Sequence, residues 1–149
     1  MKLELQRERV HLLWPEMMPI LDAGFREFDP MQDLPLDIDR DVYEALEEGE
    51  SLRIYTARLD GELVGYAVFV VMRPPRRRYL TLAQQDVVHV IHPHRTRVTK
   101  RLISFSERAL ADEGVKLVYH SSSMGSRFGR LLELMGYRPI AQLHAKVLF

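Results

Sequence analysis

The chain has 149 residues, with 21 basic and 21 acidic side chains and therefore no formal net charge. This balance excludes an overall positive field as the driving force for nucleic-acid binding, and the absence of cysteine excludes disulfides, thiolate catalysis and cysteine-based zinc sites. No apolar run is long enough for a membrane span and residues 1–10 lack a signal-peptide core, so we expect one soluble, cytoplasmic domain over residues 1–149.

The N-terminal third predicts a strand followed by two helices. Charged and apolar residues alternate from Met1 to Val10, which favours a short strand. Apolar residues at helical spacing predict a helix over Leu13–Phe28. A second helix is predicted over Asp39–Glu48, where Asp39 can cap the first turn. In this helix the inward-facing residues are predicted to be Val42, Ala45 and Leu46.

From Leu52 onwards the apolar residues follow the period of a strand. Strands are predicted at Leu52–Arg58 and Leu63–Met72, joined by Asp60-Gly61, because glycine accepts the positive φ of a type I′ turn. A wider turn, Arg73–Arg78, leads to a third strand over Tyr79–Ile91.

The C-terminal third predicts a helix, a strand, a helix and a strand. Thr99–Glu113 has the pattern of an amphipathic helix, and Val115–His120 that of a short buried strand. A helix that ends at Gly136 follows, and Tyr137–Leu148 is predicted as the last strand. The helix after the strand Tyr79–Ile91 acts as a crossover, which predicts that this strand is parallel to Val115–His120.

Three short motifs accompany this order of elements. Asp60–Ala67 has the pattern G-x-x-V-G within a hairpin, Val88–Arg95 runs from a strand into a basic loop, and Glu133–Tyr137 ends a helix with Gly-Tyr. The order and the motifs, from Leu52 to Phe149, resemble the GNAT superfamily of N-acetyltransferases. Tyr79, Ala83 and Asp86, with the ending Ala145-Lys146-Val147-Leu148, are also similar to small acetyltransferase-like proteins of tailed bacteriophages.

The resemblance implies an α/β (α+β) GNAT acyl-CoA N-acyltransferase fold. Its central sheet is mixed and mostly antiparallel, is flanked by helices, and contains one pair of parallel strands that splay apart. Acetyl-CoA is the implied co-substrate, with its pantetheine in the gap and its pyrophosphate at the start of the third helix, where anions are favoured. By resemblance, the cofactor-binding residues are Val88, His89, Val90, Ile91, Arg95, Thr96, Arg97, Val98, Thr99, Lys100 and Arg101.

The loop that would hold the pyrophosphate differs from the family pattern. Residues 95–101 contain no glycine, although glycines in such loops let phosphates approach the backbone closely. The side chains of Arg95, Arg97, Lys100 and Arg101 could bind phosphate directly instead. The alternative is a solvated, basic start of a helix.

Asp86 is the candidate general base, because a carboxylate on this strand could take the proton of an amine substrate. The alternative is a structural aspartate paired with an arginine. Simple alternation along the strand predicts that Asp86 and His89 point to opposite faces. His89 would therefore be a base only if its own face lined the substrate cleft.

The general acid is harder to assign from the sequence. Leu132 occupies the position where many GNAT relatives have the tyrosine that protonates the departing thiolate. Tyr137 is our candidate for this role, and Tyr79 and Tyr119 are the alternatives.

Two other clusters of side chains have a composition that could bind a ligand. His89, His92 and His94 are close in sequence, but Pro93 interrupts the strand and a fourth ligand is not evident, so we predict no metal site. The arginines of the turn Arg73–Arg78 are either a soluble hairpin tip or a contact for nucleic acid or for the adenosine phosphate of CoA.

These features predict an acyl-CoA-dependent N-acetyltransferase that acts on an amine of a small molecule or protein. The first two helices, which are rich in acidic residues, and the Arg73–Arg78 turn would form the acceptor entrance. The alternative is a GNAT-fold protein without catalysis that binds a host or virion protein. A homodimer through the last strand is also possible, and a phage-encoded protein would act in the host cytoplasm.

Overall fold

A five-stranded sheet forms the centre of the computed structural model, which describes residues 1–149. The strands lie side by side in chain order: β1 (Leu3–Arg7), β2 (Leu52–Leu59), β3 (Glu62–Met72), β4 (Leu82–Val90) and β5 (Leu117–Tyr119). Neighbours from β1 to β4 are antiparallel, whereas β4 and β5 are parallel. The predicted mixed sheet with one parallel pair is confirmed.

Four helices cover the two faces of the sheet: α1 (Val10–Phe28), α2 (Arg40–Glu48), α3 (Arg95–Asp112) and α4 (Arg127–Leu134). Helices α1 and α2 pack on one face, in a core that includes Leu13, Met17 and Tyr66. Helix α3 packs on the other face, where Leu102 and Phe69 belong to a second core. No helix combines the length and the apolar character that a membrane crossing requires.

The observed first residues of α3 and β4 differ from the predicted ones. Helix α3 begins at Arg95 rather than Thr99, because the N–H groups of Arg97 and Val98 already donate to the carbonyl oxygen of His94. Strand β4 begins at Leu82 rather than Tyr79, because residues 74–80 form consecutive hydrogen-bonded turns. Arg95 and Arg97, which precede the predicted helix, are therefore part of α3 itself.

The last predicted strand, Tyr137–Leu148, is absent from the folded chain. The N–H of Tyr137 donates to the carbonyl oxygen of Leu132 and closes the end of α4, after which residues 138–149 are exposed and form no strand. Pro139 cannot donate a ladder hydrogen bond, and β5 offers only three residues for pairing. The prediction of a last strand in this sheet was therefore wrong.

Candidate active site

The parallel pairing between β4 and β5 is short and leaves a gap. Only Leu82, Ala83 and Gln84 of β4 pair with β5, although β4 continues to Val90. A hydrogen bond of 2.7 Å between the Gln85 and His120 side chains follows the last pair. Beyond this bond, one edge of β4 has no neighbouring strand, so its backbone groups on that side can bind an extended ligand.

A β-bulge lies at the start of this gap. In the pairing with β3, Val87 is opposite Val68 and Gln85 is opposite Phe69, which leaves Asp86 as the extra residue. The bulge shifts the alternation of side chains, so that Asp86 reaches Tyr43 of α2 while His89 reaches α1. The predicted opposition of Asp86 and His89 was therefore wrong, since both lie on the α1 and α2 face.

Asp86 is exposed and is held by a tyrosine. The phenol of Tyr43 donates a hydrogen bond of 2.6 Å to Oδ2 of Asp86. Burial, followed by this hydrogen bond, raises the pKa of Tyr43, so the phenol remains a donor at neutral pH. The Tyr43 ring in turn contacts Trp14 of α1, with 6.2 Å between ring centroids. The partner of Asp86 is thus a tyrosine and not an arginine.

An aromatic cluster lies on the opposite face, next to the same gap. His120 packs edge-on against Phe69, Phe128 and Tyr137, with ring centroids 5.5, 5.9 and 5.0 Å away. Burial lowers the pKa of His120 to about 4, so its imidazole is neutral. Burial, and then the charge of Glu107, raises the pKa of Tyr137, so its phenol keeps its proton.

The other two tyrosine candidates lie elsewhere on the sheet. Tyr79 is exposed on the turn before β4, and Tyr119 is half-buried on β5. Tyr137 contacts His120 at the start of the gap, whereas Tyr79 precedes the other end of β4.

The start of α3 follows directly after the open part of β4. No side chain caps this end of the helix. The N–H groups of Arg95 and Thr96 have no acceptor, whereas those of Arg97 and Val98 donate to the carbonyl oxygen of His94. Arg97, Lys100 and Arg101 are exposed and take part in no ion pair, and Thr96 is also exposed. The positive end of the helix dipole lies at this N-terminus, so the basic side chains are repelled by it and by one another. A bound anion would relieve this repulsion.

Arg95 has a different role from its basic neighbours. Its guanidinium donates two hydrogen bonds of 2.7 Å to the carboxylate of Glu27 and one of 2.8 Å to the carbonyl oxygen of Val90. It also lies over the ring of Phe28, 4.7 Å from the centroid. The side chain therefore joins α1, β4 and α3, whereas the backbone N–H of Arg95 has no hydrogen-bond partner.

Most of the remaining predicted cofactor residues have side chains that pack into the core. Val88, Val90, Ile91 and Val98 belong to the core beneath α3. The His89 ring is buried against α1, so close to Gly24 that a Cβ there would lie 3.0 Å from its Nδ1 atom. Burial lowers the pKa of His89.

The turn Arg73–Arg78 lies at the opposite end of β4 from α3. A strand rises by about 3.3 Å per residue, so the nine residues of β4 separate the turn and the helix by roughly 25–30 Å. The turn is therefore too distant to hold the adenosine phosphate of a cofactor whose pyrophosphate lies at α3. No group of three or more potential metal ligands converges anywhere in the structure.

Sequence reasoning missed several residues of this site. Tyr43 was overlooked because Val42 was assigned to the inner face of its helix, whereas Val42 is 52% exposed and Tyr43 points inward. Gln85 and His120 were missed because neither belongs to a recognisable motif. An i to i+3 pairing of Tyr43 with Leu46 could have indicated the correct face.

A scan of protein-family models and a search of curated proteins give no match. Solved structures, in contrast, match over nearly the whole chain. A ribosomal-protein-alanine N-acetyltransferase from Brucella melitensis biovar Abortus 2308 has 20% identity and a TM-score of 0.73, with 100% of both chains covered. An aminoglycoside acetyltransferase from an uncultured soil metagenomic sample has 17% identity and a TM-score of 0.78, covering 100% of this chain and 99% of the other.

A third structure, a predicted acetyltransferase with acetyl-CoA from Clostridium acetobutylicum, has 8% identity and a TM-score of 0.76 over 99% of this chain and 97% of the other. The chain has the GNAT acetyltransferase fold. At these identities the likeness concerns the fold alone. Within the GNAT fold of this chain, the gap between β4 and β5, the bulge at Asp86 and the basic start of α3 form one continuous candidate site.

Proposed function

We propose that this protein is an acetyl-CoA-dependent N-acetyltransferase. The observation that carries the proposal is the open edge of β4, which leads directly into the uncapped, unpaired basic start of α3. The likeness in fold to acetyltransferases, one of them described with acetyl-CoA and another with a CoA bisubstrate analogue, supports the same activity.

The residues at the start of α3 fit a pyrophosphate. The N–H groups of Arg95 and Thr96 are free donors. The ammonium and guanidinium groups of Lys100, Arg97 and Arg101 have no carboxylate partner. A diphosphate would satisfy these donors and remove the repulsion among the cations. This arrangement takes the place of the glycines that the loop lacks.

The reaction would use the two faces of the sheet differently. Acetyl-CoA supplies an activated acetyl group as a thioester, which the acceptor amine attacks. Asp86, held by Tyr43, takes the proton from the attacking amine on the α2 face. Tyr137, with its proton retained at neutral pH, gives a proton to the departing sulfur on the α4 face. Backbone N–H groups of β4 orient the acetyl carbonyl.

The acceptor would be a cationic amine on a small molecule or protein. Acidic residues are concentrated from the end of α1 to the end of α2, the helix whose Tyr43 holds Asp86: Asp29, Asp33, Asp37, Asp39, Asp41, Glu44, Glu47 and Glu48. Such a field raises the local concentration of a cation.

Calorimetric titration with acetyl-CoA, with desulfo-CoA as a second ligand, tests the proposal. We expect micromolar binding by the wild type and at least a tenfold weaker affinity for the double variant Lys100→Glu, Arg101→Glu, which corresponds to about 1.4 kcal/mol or more. The matched control is Arg76→Glu, Arg77→Glu, which changes the net charge equally at the distant turn.

The control variant should bind like the wild type. Equal weakening by both double variants would indicate a general effect of charge and would remove the support for a pyrophosphate site at α3. A wild type that does not bind acetyl-CoA at millimolar concentration contradicts the proposal, and leaves the alternative of a fold that binds another protein without catalysis.

A further inference from the structure

Trp14 is the only tryptophan of the chain, and the proposed chemistry gives it no role. Its ring adjoins that of Tyr43, with 6.2 Å between the centroids and 56° between the planes, so the two side chains form the walls of a corner. The hydroxyl of Tyr43 donates a hydrogen bond to Asp86. A single tyrosine therefore connects the proposed general base to the Trp14 ring.

A positive group of the chain itself already lies over the Trp14 ring. The guanidinium carbon of Arg40, the first residue of α2, is 5.5 Å from the centroid of the indole. Nε of Arg40 donates a hydrogen bond of 2.9 Å to Oε1 of Glu44, one helical turn later. Because tryptophan attracts cations more strongly than the other aromatic side chains do, Trp14 and Glu44 together provide a ring and a carboxylate for one positive charge.

The contacts of Arg40 are weak enough to be exchanged. The Arg40 and Glu44 side chains are 44% and 37% exposed, and ion pairs of this kind on a helix surface contribute little to stability because water solvates both charges. Arg40 also lines a shallow cavity of about 390 Å³, and the other charged residues of this cavity are acidic: Asp37, Asp39 and Asp41. A guanidinium that leaves Trp14 can therefore turn towards other carboxylates.

We propose that Trp14 and Glu44 form a second cation site of the acceptor, which Arg40 occupies until the acceptor displaces it. The inference rests on the proposed function, in which the reacting amine lies at Asp86. A second cationic group of the same molecule would then lie over Trp14. The acceptor class is therefore a diamine or a larger polycation, and Arg40 is a specificity-determining residue.

Competition with Arg40 makes this site selective for charge. A neutral group that displaced the guanidinium would leave the carboxylate of Glu44 without its partner and would gain no attraction from the ring. A second ammonium group replaces both contacts, because the Trp14 ring and the carboxylate each attract it. An acceptor with a single charge can use Asp86 alone and leaves Arg40 where it is.

Calorimetric titration with linear diamines, from 1,3-diaminopropane to 1,8-diaminooctane, tests the second site without acetyl-CoA. We expect at least one of them to bind about threefold or more tightly than the monoamine of the same length, which is the range of an exposed cation–π contact. Trp14→Leu should remove this preference. The emission of Trp14, the only tryptophan, should change when the diamine displaces the guanidinium and stay constant with the monoamine.

Arg40→Gln removes the competing cation and should strengthen binding of the preferred diamine by about threefold or more. The matched control is Arg26→Gln on α1, which loses the same charge and the same kind of ion pair, a 3.2 Å contact with Asp22, and should bind like the wild type. Both arginines are exposed, so circular dichroism should be unchanged in both variants.

Two results would overturn the second cation site: no diamine that binds better than its monoamine, or equal effects of Arg40→Gln and Arg26→Gln, since the attraction would then be that of a generally acidic surface. Titration with acetyl-CoA separates this failure from that of the proposed function. A protein that binds acetyl-CoA without preferring diamines keeps the proposed function and loses the second site. A protein that prefers diamines but does not bind acetyl-CoA has a cation site that does not serve an acceptor, which also overturns the inference.

Discussion

Asp86 and Tyr43 form the contact on which the proposed chemistry depends. Asp86→Asn removes the proton acceptor while keeping the size of the side chain, and we expect kcat to fall by about 100-fold or more. Tyr43→Phe keeps the carboxylate and loses only the 2.6 Å hydrogen bond that orients it, so a decrease of about tenfold is expected, the equivalent of about 1.4 kcal/mol.

Steady-state rates with an accepted amine, together with acetyl-CoA affinity, measure these effects. The affinity should be unchanged in both variants, because neither side chain lies at the start of α3. An Asp86→Asn enzyme with the wild-type rate would assign the base elsewhere.

At the scale of residues, the sequence was sufficient to select Asp86 and Tyr137 as candidates but not to place them. A β-bulge depends on the pairing of two strands, and nothing in the residues around Asp86 indicates it. For the same reason, Arg95 was counted with its basic neighbours, although Glu27, far away in the chain, engages its side chain. The roles of both candidates remain predictions.

At the scale of elements, Gly65 determines how closely β3 approaches the end of β4. A Cβ at Gly65 would lie 2.8 Å from Cγ2 of Val90 and 3.0 Å from the carbonyl oxygen of His89. We therefore expect Gly65→Ala to lower the free energy of unfolding by about 1–3 kcal/mol. Chemical denaturation measures this loss.

Gly49→Ala is the matched control for this substitution. The nearest atom to a Cβ at Gly49 is the carbonyl oxygen of Ala45 at 3.4 Å, and Gly49 has a negative φ. Its effect should stay within about 0.5 kcal/mol. If the two variants were equally stable, the close approach of β3 and β4 would have no energetic significance.

The elements were predictable to the extent that they depend on local patterns. The order of strands and helices and the parallel β4–β5 pair follow from periodicity and from the crossover by α3. The segment Tyr137–Leu148 has the correct pattern for a strand, yet it is unpaired in the chain. A strand requires a partner, and a single sequence does not reveal which edge supplies one.

At the scale of the whole molecule, Arg58 joins three parts of the chain. From β2 it donates to the carboxylate of Glu8, in the connection between β1 and α1, and to that of Glu16 in α1. Burial acts to raise the pKa of Glu8, but hydrogen bonds from Arg58, Thr56 and Gln6 outweigh it and lower this pKa to about 2.

The depressed pKa of Glu8 predicts how stability depends on pH. Because the carboxylate is more acidic in the folded state, its contribution is fully present above about pH 4.5, the unfolded value, and is lost as the pH falls towards 2. Glu8→Gln should therefore cost about 2–3 kcal/mol at pH 7, and the difference from the wild type should vanish near pH 2. Thermal unfolding across this range measures it.

Glu4→Gln is the control, because the Glu4 carboxylate forms only an exposed ion pair with Lys2 and should contribute less than about 1 kcal/mol at any pH. A constant difference between Glu8→Gln and the wild type from pH 7 to pH 2 would contradict the assignment to ionisation.

The architecture of the whole molecule could be predicted from the sequence, because only a few topologies are compatible with this order of strands and helices. The resemblance to phage proteins, the location in a cytoplasm and the extent of a single domain remain predictions.

The open edge of β4 has an evolutionary consequence. A ligand held by N–H and C=O groups depends on the path of the main chain and is indifferent to most side chains along it. Selection on such a site preserves shape while allowing the sequence to drift. The likeness of fold between this chain and a solved structure at a TM-score of 0.76 and 8% identity is accordingly visible in the coordinates and not in the sequence.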